Sequence, residues 1–384
     1  MSSPHYLHIG KADGSVSVMG ETVSMAREII YLVGPSLETH GGIGYAIGTY
    51  CNSPLASQYR LIHISTHCEG NRLTKAWAFA KGMVRFLFLK LTLGGRLVHL
   101  HSGYGASLLR KLMFNVVARS AGCHTIFHIH GGDFDKYYER SSMVVKRIIE
   151  YFLRNVDAIV VLSNSLEKEI TALSSMRVPI YVVGNPIDVR KYKPVHRSNG
   201  QCGTHRLLFL GSITKAKGVY DIMESVQQLV AQGLKVHVTL AGDREIEQAK
   251  QRAKEISAQD IIELPGWVSE SRKLEFLSNA DLLLLPSYTE GMPLCVLEAM
   301  ACGLPIVCTD VGGLADLVAH GENGFVFKPG DVESLTRYTR CLLGDEALRR
   351  RMGLNNVAKI ADNYSADIIV GKLSRIYGQL INNV

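Results

Sequence analysis

Two glutamates flank a predicted helix start that could bind a phosphorylated sugar: seven residues separate Glu290 from Glu298. The apolar run 281–285 before them predicts a buried strand, Pro293 suits the first position of a helix, and Gly303 suits its end. A helix N-terminus has unpaired N–H groups and a partial positive charge, which favour a phosphate. Carboxylates on either side would accept hydrogen bonds from sugar hydroxyls, so the pattern is typical of a sugar-nucleotide site. The spacing alone equally fits two solvated carboxylates near an ordinary helix.

The elements that must position these residues follow one pattern along nearly the whole chain. Runs of four to six apolar residues alternate with helix-length segments, which predicts buried parallel strands in βαβ units. The predicted strands are 28–33, 60–64, 97–100, 125–129, 158–162 and 180–183 in the first half, and 206–210, 236–240, 281–285 and 305–308 in the second. Because each half repeats the pattern, we expect two doubly wound α/β domains.

A change of composition separates the two halves. The stretch 191–203 is polar, contains Gly and Pro and lacks periodicity, which indicates a linker. We therefore expect one domain over 1–190 and a second over 191–384. In such two-domain proteins, ligands bind in the crevice at the carboxyl ends of the strands.

The charge of the chain is unevenly distributed. Residues 1–190 contain 20 Lys and Arg against 13 Asp and Glu, whereas residues 191–384 contain 22 of each. The excess positive charge predicts an anionic partner for the first half alone. No segment approaches 18 uninterrupted apolar residues, the first 25 residues lack a secretory pattern, and none of the eight cysteines forms C-x-x-C. We expect a protein of the reducing cytosol, with no membrane span.

Several motifs in order resemble the retaining glycosyltransferases of family 4. The motifs are Glu290-x7-Glu298 continuing as Ala-Met-Ala-Cys-Gly-Leu-Pro-Ile-Val, then Gly312-Gly313, Gly41-Gly42-Ile43-Gly44, Asn185-Pro-Ile-Asp188, Gly211-x5-Lys217-Gly218 and Gly321-Glu-Asn-Gly324. The resemblance implies the GT-B fold, in which two Rossmann-like domains face each other across a cleft. It also implies that the first domain binds the acceptor and the second the nucleotide sugar, with the last helix packed back on the first domain.

The resemblance also implies roles for individual residues. Glu298 would accept the ribose hydroxyls, Glu290 the hydroxyls of the donor sugar, and Lys217 would neutralise the diphosphate leaving group. His130 would lie in the crevice near the reacting sugar. The remaining donor-binding positions are glycines that allow close approach and the segment after Glu290: Gly42, Gly44, Gly211, Ser212, Gly291, Met292, Pro293 and Leu294.

Three of these assignments have open alternatives. Lys217 could be a solvated residue in the first turn of a helix over 217–232, and the glycines around Gly42 could form a plain turn. By strand alternation His128 points to the same face as His130, so either could be the crevice histidine, and we favour His130. Ser212 departs from the family, which usually has Arg there, so the leaving group must be stabilised by other groups.

A basic segment of the first half combines positive and aromatic side chains. Its members are Arg72, Lys75, Lys81, Arg85, Lys90 and Arg96, interleaved with Trp77, Phe79, Phe86, Phe88 and Leu91, and followed by Arg110 and Lys111. A basic, aromatic amphipathic helix is typical of a membrane surface, although a core helix with solvated charges would look similar. A nucleic-acid partner has no supporting motif.

These observations predict a retaining glycosyltransferase that moves a hexose from a GDP- or UDP-sugar to a lipid-linked or polysaccharide acceptor in cell-surface glycan synthesis. We expect it on the cytoplasmic face of an anionic membrane, without a cofactor, and the sequence shows no metal-ligand spacing. Retention follows from the resemblance, and attack by the acceptor on the front face is the working hypothesis. A non-catalytic sugar-nucleotide-binding partner of another transferase is the alternative. A dinucleotide oxidoreductase lacks its G-x-G-x-x-G motif, and the glutamate block argues for transfer rather than epimerisation.

Overall fold

The computed structural model describes residues 27–39, 41–173, 178–194 and 203–382, and these residues form two parallel sheets. The first sheet has the strand order β2-β1-β3-β4-β5-β6. Its strands are β1 (Ile29–Gly34), β2 (Arg60–Ser65), β3 (Leu97–Ser102), β4 (His124–Ile129), β5 (Ala158–Val161) and β6 (Ile180–Val182). All their pairings are parallel, so the chain crosses over a face of the sheet between neighbouring strands.

The second sheet has the strand order β12-β11-β10-β7-β8-β9 and is also parallel. Its strands are β7 (His205–Leu210), β8 (Val236–Ala241), β9 (Ile262–Gly266), β10 (Leu282–Leu285), β11 (Ile306–Thr309) and β12 (Gly324–Phe327). All ten predicted strands are present. The sequence prediction missed β9 and β12, which form the two edges of this sheet. An edge strand needs less apolar surface and tolerates Pro and Gly. Strand β9 contains both residues, and β12 begins with Gly324.

Helices cover both faces of each sheet, so the central strands are buried on both sides. The first half contains α1 (Gly42–Cys51), α2 (Leu55–Gln58), α3 (Arg72–Leu93), α4 (Ala106–Ser120), α5 (Phe134–Arg140), α6 (Met143–Arg154) and α7 (Asn164–Leu173). The second contains α8 (Val219–Ala231), α9 (Ile246–Glu255), α10 (Glu270–Asn279), α11 (Leu294–Ala301), α12 (Leu314–Leu317), α13 (Val332–Gly344), α14 (Glu346–Asn363) and α15 (Ala366–Asn382). None of the described helices is both long enough and apolar enough to cross a membrane.

The last helix lies against the first sheet rather than the second. Buried residues of α15, including Leu373 and Tyr377, share a core cluster with Ile30 and Val160 of the first sheet. The backbone crosses between domains beside the start of this helix, because Ile187 N–H donates to Tyr364 C=O (2.9 Å) and Ala366 N–H donates to Ile187 C=O (2.8 Å). The two crossings therefore lie side by side, and α15 completes the core of the first domain.

Candidate active site

The loop after β10 holds Glu290 in a network of hydrogen bonds. The Glu290 carboxylate is nearly buried and accepts from Lys217 Nζ (2.7 Å) and Ser287 Oγ (2.7 Å). The turn that carries Lys217 packs tightly on this loop, since a Cβ on Gly218 would lie 2.1 Å from Pro286 C=O and the φ of Gly218 is +69°. Only glycine fits such a position. The two sequence-predicted charges thus form one ion pair, although 72 residues lie between them.

Glu298 lies in the second turn of α11 and has its own partners. Its buried carboxylate accepts from Tyr192 Oη (3.0 Å) and pairs with Lys273 Nζ. Cys295 lies between the two glutamates, and burial together with both negative charges raises the pKa of its thiol, which therefore stays protonated. The helix begins at Leu294, one residue later than predicted, and Pro293 occupies its N-cap position. The first N–H groups of α11 consequently lie between the two carboxylates.

The glycine-rich segment of the first domain approaches this helix start. Gly42 begins α1, and a Cβ on it would lie 3.5 Å from the Leu294 side chain. A Cβ on Gly44 would come within 3.3 Å of two backbone oxygens of its own loop, those of Ser36 and Thr39. The start of α1 thus faces the N-terminus of α11 and packs closely against the loop that precedes it.

A second contact between the domains brings the histidine strand to Glu290. A Cβ on Gly132 would lie 1.8 Å from Glu290 C=O, and a Cβ on Gly291 would lie 2.6 Å from His130 C=O. Glycine is required on both sides because the two backbones touch. The structure therefore brings His130, Gly291, Glu290 and Lys217 to one point of the cleft, with Met292 anchored by Asn185 Nδ2, which donates to its carbonyl (2.8 Å).

Four histidines share one face of β3 and β4 and lead into this point. His130 Nε2 is hydrogen-bonded to His101 Nδ1 (3.0 Å), and His99 links to His128 (3.2 Å) and to Tyr377 Oη of α15 (2.6 Å). His128 is fully buried within the strand, whereas His130 follows the strand end and is partly exposed. Burial lowers the pKa of His99 and of His130 to about 3 and holds the pKa of His101 and His128 well below the usual value. All four imidazoles are therefore neutral at physiological pH.

Three of these histidines lie close enough together to be tested as a metal site, although the spacing in the sequence did not indicate one. Ring nitrogens of His99, His101 and His128 lie within 4.8 Å of one another. Both nitrogens of His99 already have hydrogen-bond partners, whereas Nε2 of His101 and Nε2 of His128 have none among the described residues. A metal would have to displace a hydrogen bond of His99 to gain a third ligand.

The turn around Ser212 differs from the prediction. Instead of one helix over 217–232, a 3₁₀ helix spans Lys215–Lys217 and α8 begins at Val219, after the left-handed Gly218. Gly211 is in contact with the loop after β8, since a Cβ on Gly242 would lie 1.7 Å from Gly211 C=O. Ser212 is partly exposed at this contact. Lys217 is thus fixed at the end of a turn, not carried on an α-helical face.

Sequence reasoning missed several residues that complete the site. Tyr192 lies in the segment interpreted as a linker, Lys273 lies on a polar helix, and Ser287 precedes Glu290 by three residues. Only Ser287 carried a local signal, because it stands in the same loop. The pattern His-x-His in both β3 and β4 would have predicted a shared histidine face by strand alternation.

Two doubly wound domains with a polar cleft between them define the GT-B class of fold. A sucrose-phosphate synthase from Thermosynechococcus elongatus superposes on 93% of this chain and 100% of its own with a TM-score of 0.80, at 18% identity. That likeness confirms the fold alone.

The family follows from two matched descriptions that together cover most of the chain. "Glycosyl transferases group 1" matches residues 196–358 and "Glycosyl transferase 4-like domain" matches residues 55–186. The chain belongs to the group 1 glycosyltransferases, as the motifs predicted. It is similar to the N-acetyl-alpha-D-glucosaminyl L-malate synthase of Bacillus anthracis (27% identity over 66% of this chain and 68% of the relative). It is also similar to the capsular polysaccharide biosynthesis glycosyltransferase CapM of Staphylococcus aureus (26% identity over 58% of this chain and 62% of the relative).

Proposed function

We propose that this chain is a retaining glycosyltransferase that transfers a hexose from a nucleoside-diphosphate sugar to an acceptor hydroxyl in cell-surface glycan synthesis. The observation that carries the proposal is the Lys217–Glu290 ion pair, which lies at the start of α11 and against the His130 loop of the other domain. A cation, a carboxylate and a helix N-terminus at one point of a cleft match a sugar joined to a diphosphate. The family membership and the similarity to a capsular polysaccharide enzyme support the reaction class.

The proposed reaction breaks the bond between the sugar C1 and the oxygen of the terminal phosphate. The bonding electron pair goes to that phosphate oxygen, where Lys217 and the N–H groups of α11 stabilise the added charge. The acceptor hydroxyl forms the new bond to C1 on the same face, and its proton passes to the departing diphosphate. Glu290 and the neutral imidazole of His130 orient sugar hydroxyls. The net result is a glycoside and a nucleoside diphosphate, with the configuration at C1 retained.

We propose that no cofactor takes part and that the leaving group is neutralised by protein groups alone. Glu298, held by Tyr192 and Lys273, is the proposed ribose acceptor of the donor. Among the described residues, both of these partners donate to the same carboxylate oxygen, Oε1, and an ionised carboxylate suits two vicinal hydroxyls.

The proposed acceptor is lipid-linked, and the surface of α3 supports this choice. The side chains of Leu73, Trp77, Val84, Phe88 and Leu91 are each more than 60% exposed on this helix. Arg72, Lys81 and Arg85 are exposed between them. Apolar side chains that lie among cations suit the interface of an anionic membrane. The protein would then work on the cytoplasmic face of that membrane.

Donor binding tests the proposal first. We expect one of UDP, GDP and ADP to raise the melting temperature, since a ligand at 100 times its Kd adds about 2.7 kcal/mol of stability. The purified chain should also hydrolyse or transfer the matching sugar slowly, and Glu290→Ala should abolish this while leaving the fold intact. Donor binding without turnover by the wild-type chain would favour the non-catalytic alternative. No thermal shift with any nucleotide would contradict both.

A further inference from the structure

The positive charge available to a donor diphosphate is small in the described part of this cleft. Lys217 is already paired with Glu290, so the two side chains together contribute no net charge. A diphosphate carries more than one negative charge and gains another as it leaves, which requires compensation by cations or dipoles. Ser212, beside the Gly211 turn, brings none.

The loop after β8 runs alongside the Ser212 turn and is fixed to it. Ile213 N–H donates to Asp243 C=O (2.7 Å), and Glu245 N–H donates to Ile213 C=O (3.1 Å). Ile213 and Arg244 form a parallel bridge, so the backbone of Arg244 lies opposite Ile213, the residue that follows Ser212.

The backbone of Arg244 is strained. Its φ is +84°, a value that glycine adopts freely and arginine rarely does. The backbone is held by the bridge to Ile213 and by Ile246 N–H, which donates to Arg244 C=O (2.8 Å), whereas the exposed side chain has no hydrogen bond or ion pair with the described residues. Backbone strain of this kind is concentrated at functional sites.

We propose that Arg244 contacts the diphosphate of the donor and supplies the cation that Ser212 lacks. The inference rests on the proposed function. A guanidinium stays charged at any physiological pH and can donate two parallel hydrogen bonds to phosphate oxygens. It would stabilise the oxygen that receives the electron pair of the broken sugar–phosphate bond, without giving up a proton. The carboxylate of the neighbouring Glu245 accepts a hydrogen bond from Tyr220 Oη (3.2 Å).

Arg244→Gly separates this role from a structural one. Glycine relieves the positive φ, so the variant should melt at the same or a higher temperature than the wild type. We expect binding of the stabilising nucleotide, UDP, GDP or ADP, to weaken about 10-fold and kcat to fall about 100-fold, while binding of the free nucleoside is unchanged. Lys215→Ala in the adjacent 3₁₀ helix and Arg252→Ala on α9 are the controls, and both should stay within 2-fold or so of the wild type.

The double variant Ser212→Arg with Arg244→Gly completes the test. If the two positions serve the same phosphate, arginine at 212 should restore at least about 10-fold of the lost kcat. Wild-type diphosphate binding and kcat in Arg244→Gly, or a loss confined to Lys215→Ala, would overturn the assignment and leave the proposed function standing. A wild-type chain that binds no nucleotide would overturn both.

Discussion

The two walls of the cleft are polar in different ways. The wall from the second domain carries two ion pairs, Lys217–Glu290 and Lys273–Glu298, in which each carboxylate is nearly buried. The wall from the first domain carries four neutral histidines and a tyrosine from α15, joined by hydrogen bonds. Charged pairs suit the proposed binding of hydroxyls and a diphosphate by the second wall, whereas imidazoles stay neutral where burial makes charge costly.

Most of the positive charge of the first domain lies on its surface, away from the buried histidines. Its exposed cations lie on several helices, among them α3, α5 and α6, and the buried Lys111 amino group donates a hydrogen bond to Thr66 Oγ1 (2.6 Å). Burial lowers the pKa of Lys111 to about 7, so even this cation is partly neutral at physiological pH. The net positive charge of this domain is therefore independent of the charge of its histidine cluster.

Acid should affect the histidine wall most strongly. The pKa of these histidines is lower in the folded state than the unfolded value near 6.5, so the unfolded chain binds more protons below that pH. Their contribution to stability is complete above pH 6.5 and is lost as pH falls, at up to about 1.4 kcal/mol per pH unit for each histidine. Denaturant unfolding at pH 7.5, 6.5, 6.0 and 5.5 measures this loss.

Two variants make the acid prediction specific. The double variant His99→Phe with His128→Leu should flatten the pH dependence by about half, and His237→Ala, which removes a partly exposed histidine of the second domain, is the control. A free energy of unfolding that is constant between pH 7.5 and 5.5 would mean that the histidines are not held neutral.

The Lys217–Glu290 pair should show the next largest effect. Lys217→Met leaves the nearly buried Glu290 carboxylate unpaired, and Glu290→Gln leaves the partly exposed Lys217 unpaired, so each should lower kcat/KM by about 100- to 1,000-fold. The double variant should be no worse than the weaker single one, because the two side chains act as a unit. Lys250→Met with Glu247→Gln breaks an exposed pair of similar length (2.8 Å) on α9 and serves as the matched control. Additive losses in the double variant would argue against coupling.

The second ion pair should affect binding rather than turnover. Glu298→Gln is expected to raise the donor KM by about 10-fold with little change in kcat, because the proposed ribose contact would be equal in the ground state and the transition state. Lys273→Met should act in the same direction. If Glu298→Gln instead lowered kcat as much as Glu290→Gln does, the two carboxylates would not have distinct roles.

The smallest effect is expected outside the cleft, on α3. Trp77→Ser with Leu91→Ser removes two side chains that are 72% and 85% exposed, so the fold should be unaffected. Co-sedimentation of the full chain with anionic vesicles should weaken several-fold in this variant and also with added salt. Val230→Ser on α8 is an apolar control in the second domain. Equal binding by all three proteins, or binding insensitive to salt, would exclude α3 as the contact surface.

Much of the fold could be predicted from the sequence because its signals are local. Ten apolar runs marked ten strands, and the failures, β9 and β12, are edge strands with mixed composition. The helix start at Leu294 was predicted within one residue from Pro293 and Gly303. For Lys217, however, the sequence favoured a phosphate-binding turn and left the first turn of a helix as the alternative, and only the packing of Gly218 against Pro286 accounts for the 3₁₀ geometry.

The sequence by itself determined the alternation of strands and helices, the division of charge between the halves and the family. These properties depend on residue type and on short spacings. The tertiary structure alone decided that Lys217 pairs with Glu290, that Tyr192 and Lys273 hold Glu298, and that Tyr377 reaches His99. Such contacts join residues from distant parts of the chain, and parallel crossovers bring them to one edge of each sheet, which no local pattern records.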